Sequence, residues 1–236
     1  MVKHTGFYRH NLKFSSTGYL KYFRMNNKLR TFARIGLVDT FFEIAADSFI
    51  EFRKDKKEFD LIISEGGELY EGIIILKRMN DYNVYKDKLR KGTIKIILFL
   101  TTFLESYIND LGGIVLGDNF VKDHLDKLSI ISKWIVIPRL ISGKEIDKSK
   151  SYFEDFKELI RWRNNLIHHK TKDATTYLES SKIEDIEKLK PIYELFDVSK
   201  SFKMVKELFA ELDRIDKHGS HTIRIKMTLS NLKKTQ

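Results

Sequence analysis

Cysteine is absent from the 236-residue chain, and proline occurs only twice. Without thiols there is no disulfide scaffold, zinc–thiolate site, iron–sulfur cluster or cysteine nucleophile. Scarce proline points to helices, whose interiors it interrupts. Long apolar runs are missing too. The longest, Ile96–Leu100, Ile73–Leu76 and Trp134–Pro138, fall far short of the roughly 20 residues a membrane-spanning helix needs. A soluble, cytoplasmic protein with no membrane partner is expected. At 42% hydrophobic and 32% charged residues, the chain can bury a substantial core and offset its ordering entropy.

Acidic residues are missing from the first 38 positions, which carry eight cations: Lys3, Arg9, Lys13, Lys21, Arg24, Lys28, Arg30 and Arg34. The remaining 35 Lys and Arg face 33 Asp and Glu, so most of the formal charge of +10 belongs to this arm. Phe7, Tyr8, Phe14, Tyr19, Tyr22 and Phe23 are interleaved with the cations. Such a mixture suits a phosphodiester backbone with unpaired bases. It is equally the composition of a solvated basic leader, or of an extension ahead of a start at Met25.

Glycine punctuates the rest at Gly66-Gly67, Gly112-Gly113, Gly117, Gly143 and Gly219. Between these marks, helical spacing of apolar residues predicts helices over Thr40–Lys54, Glu68–Met79, Lys88–Leu111, Lys122–Ile137, Ser151–Lys172 and Ser199–Ile215. Asp39 is placed to cap the first, Gly112 to stop the third and Pro138 to end the fourth. Ile223, Ile225, Met227 and Leu229 alternate with polar residues, which fits a short C-terminal strand over Thr222–Leu229. No repeat or long linker appears. The fold class is all-α: one helical domain over residues 39–236, preceded by the basic aromatic arm 1–38.

Most familiar catalytic motifs are absent. There is no phosphate-binding glycine loop, dinucleotide fingerprint, His-Glu-x-x-His or Gly-x-Ser-x-Gly. His218 and His221 lack a third ligand, and His4, His10 and His124 form no constellation, so neither metal nor cofactor is expected.

One segment stands apart, Phe153 to Lys170. On a helical wheel, Phe156, Leu159, Ile160, Leu166 and Ile167 lie within about 60° of Arg163. A permanent guanidinium thus sits inside an apolar stripe. Burying it unpaired is costly, so Arg163 needs a partner or a ligand anion. An internal partner is available in the third helix, where Thr101, Thr102, Glu105 and Asn109 form a polar stripe. A buried ion pair of this kind often stabilises no more than an apolar pair would. The residues alone leave a structural network and an anion site equally open. Asn164 and His168, four apart, share a face about 100° and 140° round from Arg163.

Arg163-Asn164-Asn165-Leu166-Ile167-His168 resembles the Arg-x4-His motif of the HEPN superfamily, including the polar residue directly after the arginine. The stretch Phe103-Leu-Glu-Ser-Tyr-Ile-Asn-Asp-Leu111 is similar to the second-helix pattern of bacterial HEPN proteins. The region around Lys133-Trp134 and Pro138-Arg139-Leu140 is similar to their connecting region. The likeness covers residues 88–172.

This resemblance implies an antiparallel four- to five-helix bundle that forms a homodimer, with both motifs lining one cleft. It implies a metal-independent endoribonuclease of a toxin–antitoxin or abortive-infection system, with RNA as substrate and an antitoxin or other regulatory partner. Other members bind RNA, a nucleotide or a protein without catalysis, which is the alternative. Carried over, Arg163 would hold the scissile phosphate. His168 would act as base on the ribose 2′-OH or as acid to the leaving oxygen, and Asn164 would orient one of them. The candidate substrate-binding residues are Arg161, His169, Lys170, Glu105 and Asn109. Imidazole titrates near neutrality and a fixed cation favours a phosphorane-like transition state, so these roles are chemically apt. Lys170 stands where one HEPN toxin family has a tyrosine that its antitoxin nucleotidylates, so that neutralisation route is not expected here.

Overall fold

The structure, a computed structural model, describes residues 10–15, 18–25, 28–34, 37–70, 73–168 and 191–216. The chain divides into two compact units, Met1–Asp39 and Thr40–Gln236.

The first unit differs from the expected plain extension. It contains three strands, β1 (His10–Ser15), β2 (Gly18–Met25) and β3 (Lys28–Arg34), in an antiparallel meander of order β1-β2-β3. Residues such as Tyr19, Tyr22, Phe23, Thr31 and Phe32 favour a pleated surface, and two-residue connections allow direct hairpin pairing. The pairing runs from Tyr19↔Arg34 to Met25↔Lys28 between β2 and β3. Between β1 and β2 the register shifts between His10 and Lys13, as at a bulge.

The second unit is mostly helical. Its elements are α1 (Val38–Ser64), β4 (Gly67–Tyr70), β5 (Ile73–Leu76), α2 (Met79–Leu116), α3 (Asp118–Phe120) with a π-helical turn at Val121–Leu125, α4 (Ile130–Ser142), α5 (Ser151–Ile167), α6 (Ile192–Leu195) and α7 (Val198–Ile215). The segment expected as a helix over Glu68–Met79 is instead a hairpin, with Gly67 paired to Leu76 and Tyr70 to Ile73. Glycines at 66, 67 and 72 and the Ile73-Ile-Ile-Leu76 run explain the change: β-branched side chains lose rotamer freedom in a helix and fit a strand.

α2 is the central element. α1 runs antiparallel along it: Phe41 meets Phe99 at a ring-centroid distance of 6.3 Å, Phe42 meets Phe103 at 4.7 Å, and Phe59 meets Tyr82 at 5.2 Å. α7 packs on both, with Phe202 against Phe49 at 4.6 Å and Phe209 against Phe103 at 5.5 Å. α5 lies antiparallel to α7. The Asp147 N–H ahead of α5 donates to Glu211 Oε1 (3.1 Å), Lys200 pairs with Asp155 (2.7 Å), and Trp162 meets Phe196 edge-on.

Trp134 of α4 closes the centre. It is fully buried, with Phe156, Phe209 and Tyr107 around its ring. Gly112 lets α4 approach α2: a Cβ there would stand 3.2 Å from Ile137 Cδ1 and from Val121 Cγ2.

The fourth helix is also not the expected one. Ser129 caps α4, its Oγ accepting from the Ser132 N–H at 3.1 Å, and Pro138 lies inside α4 rather than beyond its end. A proline removes one rung of the ladder. Continuation is offset here by burial of Ile137 and Pro138, and α4 closes on Gly143 in the left-handed region, φ 73°.

Candidate functional site

Helix α5 begins on the core and leaves it. Tyr152, Phe153, Phe156, Leu159 and Ile160 are buried. Beyond them Arg163 and Leu166 are half-buried, and Ile167 is 50% exposed. The apolar stripe that surrounds Arg163 on a wheel is therefore buried as far as Ile160 and only partly covered beyond it. This lightens the desolvation cost that a cation in mid-stripe would otherwise carry.

Arg163 Nη1 donates to the side-chain Oδ1 of Asn164 at 3.1 Å. No carboxylate among the described residues pairs with Arg163. Asn164 also reaches His168, whose backbone N–H donates to the Asn164 carbonyl at 2.9 Å. One residue thus touches both ends of the Arg-x4-His segment. α5 stops at Ile167, and His168 takes φ −101°, ψ 22° on the first non-helical position. That is the sparsely populated bridge region of backbone space. Asn164, Asn165 and His168 are exposed. Since His168 lies past the helix end, the 140° wheel offset does not bind its imidazole to a helical direction.

Arg161 is exposed on the same helix, without an ion pair among the described residues. Its neighbour Trp162 meets Phe196 at 6.0 Å, which fixes this part of α5 against the turn before α7. Behind it Lys200 joins α7 to Asp155, and the Asp155 carboxylate raises the Lys200 pKa. His169 and Lys170, and likewise His218, His221 and the expected Thr222–Leu229 strand, lie outside the described residues.

Glu105 and Asn109, on α2, are not joined to Arg163. The ion pair considered from the sequence is absent: neither Glu105 nor Arg163 has an acid–base partner among the described residues. Their placement explains it. Trp134 donates its indole N–H to the Leu104 carbonyl at 3.1 Å and meets Phe156 at 5.9 Å. Glu105 therefore stands at about the level of Phe156. Arg163 follows Phe156 by two helical turns, about 10 Å along α5.

The polar stripe on α2 has a property of its own. Thr101 Oγ1 and Asn109 Oδ1 are buried atoms with no hydrogen-bond partner among the described residues. Lys133 on α4 is 2% exposed, with no ion pair among the described residues. Its sequence signal was its place on the face defined by Ile130, Trp134 and Ile137, three or four residues apart.

Chemically, the end of α5 offers a fixed cation with no carboxylate partner among the described residues, an amide that holds it, and an exposed imidazole one turn away. Among the described residues no group of three or more His, Cys, Asp or Glu is placed to hold a metal ion, and no helix is long and apolar enough to cross a membrane. No known family, curated protein or solved structure matches the chain.

Proposed function

We propose that this chain is a metal-independent endoribonuclease of the HEPN type, acting on RNA as a homodimer in the cytoplasm, as a toxin or abortive-infection effector held by a regulatory partner. The observation that carries this reading is the contact of Arg163 with the neutral amide of Asn164, in place of a carboxylate, at the exposed end of α5. A guanidinium so held keeps its full charge for an anion, and its planar fork suits phosphate oxygens.

In this mechanism Arg163 binds the scissile phosphate and offsets charge developing on its oxygens. The His168 imidazole takes the proton of the ribose 2′-OH, or returns one to the departing 5′-oxygen. The 2′-oxygen attacks phosphorus, the bond to the 5′-oxygen breaks, and the products are a 2′,3′-cyclic phosphate and a 5′-hydroxyl. Asn164 fixes the guanidinium through Oδ1 and the entry to His168 through its backbone carbonyl. A second copy supplies the facing half. Ile167, half exposed beside the motif, fits such a contact. Arg161, His169 and Lys170 add cationic reach for the flanking phosphates. Glu105 and Asn109, a helix level away, belong to the bundle's own polar stripe under this reading.

A second reading has its own support. No hydrogen bond joins the side chains of Arg163 and His168, as suits a module that binds RNA, a nucleotide or a protein without cutting. One experiment separates them. Purified wild type and His168→Ala are incubated with total cellular RNA in EDTA, followed by end-group analysis and a filter-binding assay. Cleavage with cyclic-phosphate ends, lost in His168→Ala, supports the nuclease. RNA affinity without cleavage in either protein supports the binding module, and cleavage retained in His168→Ala overturns the assigned role.

A further inference from the structure

The strand register of the first unit sorts its residues. In an antiparallel pair, directly opposed residues share a face and successive residues alternate between faces. On one face of β2–β3 the opposed pairs are Tyr19↔Arg34, Lys21↔Phe32, Phe23↔Arg30 and Met25↔Lys28. On the other they are Leu20↔Ala33, Tyr22↔Thr31 and Arg24↔Leu29. Four of the five cations of these two strands, and three of the four aromatics, fall on the first face. β1 adds Phe14, paired with Tyr19, to this face and Lys13, paired with Leu20, to the other. Every opposed β2–β3 pair on this face places a cation opposite an aromatic residue or a methionine. No pair on the second face does so.

The sequence alone presents cations and aromatics as interleaved along a line; the register turns the line into a checkerboard on one surface. No acidic residue occurs anywhere in the first 38 positions to neutralise it. We propose that this face of the β1–β3 sheet is a binding platform for single-stranded nucleic acid, with Tyr19, Phe23 and Phe32 stacking unpaired bases and Lys21, Lys28, Arg30 and Arg34 following the phosphates. Strand spacing supports it: opposed and next-but-one positions alternate ring and charge at roughly 5–7 Å intervals, close to the base-to-base and base-to-phosphate repeats of an extended strand. Stacking is tolerant of sequence, and the charge makes binding dependent on salt. The inference stands on the sheet alone and does not require the α5 site to be catalytic.

The test uses the full chain and fluorescence anisotropy with labelled oligothymidylate, which lacks a 2′-OH and survives any ribonuclease activity. Labelled oligouridylate serves as a second probe, with His168→Ala as host. Binding of either strand is expected at low salt. Phe23→Leu and Phe32→Leu keep an apolar strand residue but remove the ring, and should each weaken binding roughly five- to a hundred-fold. Arg30→Gln should flatten the salt slope by about 0.7, the share of one phosphate on a single strand. Arg24→Gln, the same change on the opposite face, should leave affinity within about twofold. Far-UV circular dichroism checks that each variant keeps its strands.

The proposal is overturned if Arg24→Gln is as damaging as Arg30→Gln, which would mark diffuse charge. It is equally overturned if both leucine variants bind like wild type, or if duplex DNA competes as well as the single strand. Failure to bind either oligonucleotide, with retention instead on phosphatidylserine vesicles, would assign the face to an anionic membrane and end it.

Discussion

The indole nitrogen of Trp134 on α4 donates to the backbone carbonyl of Leu104 on α2 at 3.1 Å, in the fully buried centre of the bundle. That carbonyl belongs to a helix and has its own ladder, so the indole supplies a second bond across the interface and gives its own N–H a partner. Trp134→Phe keeps most of the ring but loses the donor and some volume, and is expected to cost about 1–3 kcal/mol. Trp134→Ala should cost about 3–5 kcal/mol. Urea denaturation followed by circular dichroism measures both, and an alanine variant as stable as wild type would contradict the central role of this side chain.

Among the described residues Arg163 has no acidic partner to strand. Arg163→Ala is therefore expected to change stability by no more than about 1 kcal/mol, and, on the proposed nuclease reading, to reduce RNA cleavage at least a hundred-fold. Because Glu105 lies a helix level away, the double variant Arg163→Ala/Glu105→Ala should be additive within about 0.5 kcal/mol. Thermal melts of the four proteins give the coupling, and a large coupling energy would show that the two side chains interact after all.

Glu211 on α7 is bonded to Arg214, and it also accepts the Asp147 N–H. The Arg214 guanidinium is the main reason that its carboxyl titrates below the ordinary 4.5. A lowered native value means that the folded state holds its proton less tightly than the unfolded chain does. The stabilisation is thus complete above about pH 4.5 and is lost as pH falls through the native value. Glu211→Gln should weaken the fold by about 1 kcal/mol at pH 7 and make stability less steep in pH on the acid side. Urea midpoints collected from pH 7 to pH 3 report this directly.

At the alkaline end the sign reverses. Burial pushes the Tyr193 hydroxyl up to about 12, with Tyr82 and Glu194 adding to the shift. The native state therefore retains this proton longer than the unfolded chain. Its contribution is whole below pH 10 and disappears as pH rises towards 12. Tyr193→Phe should show a shallower alkaline loss of stability, and ultraviolet titration of phenolate should show one late-titrating group fewer.

Gly143 ends α4 at φ 73°, with no heavy atom within 4 Å of a Cβ built there. Space is free, so only the backbone resists substitution. Gly143→Ala should cost about 1 kcal/mol, and Gly143→Asn less, because asparagine tolerates this conformation better. Differential scanning calorimetry resolves the order.

The sequence made the long helices visible because their cores repeat at helical spacing. Phe42, Ala45 and Ala46 mark α1, and Ile96, Ile97, Leu100, Phe103 and Leu104 mark α2. Both run further than expected, α1 to Ser64 and α2 back to Met79. The extra turns mix charged residues with a few buried rings and are held by partners distant in sequence, such as Phe59 on Tyr82 and Lys88 on Asp55. The hairpin at Gly67–Leu76 was hidden because a short apolar run fits either structure until its partner strand is known. The meander was hidden for the same reason: alternation along one strand does not reveal which residues stand opposite. At α5 the arginine inside an apolar stripe was legible. That its burial ends at Ile160 was not, since what packs against each turn is decided by residues distant in sequence.

Phe59, Leu89 and Tyr193, with Phe52, Tyr82 and Tyr85 around them, form a hydrophobic cluster of their own near the start of α2, while Trp134 and its aromatic neighbours hold the later half. A shaft of 38 residues with two separate anchorages can let go of one and keep the other. Its first three turns are then a unit that frays on its own, and amide hydrogens there should exchange through small openings while those near Leu104 wait for the whole bundle to come apart.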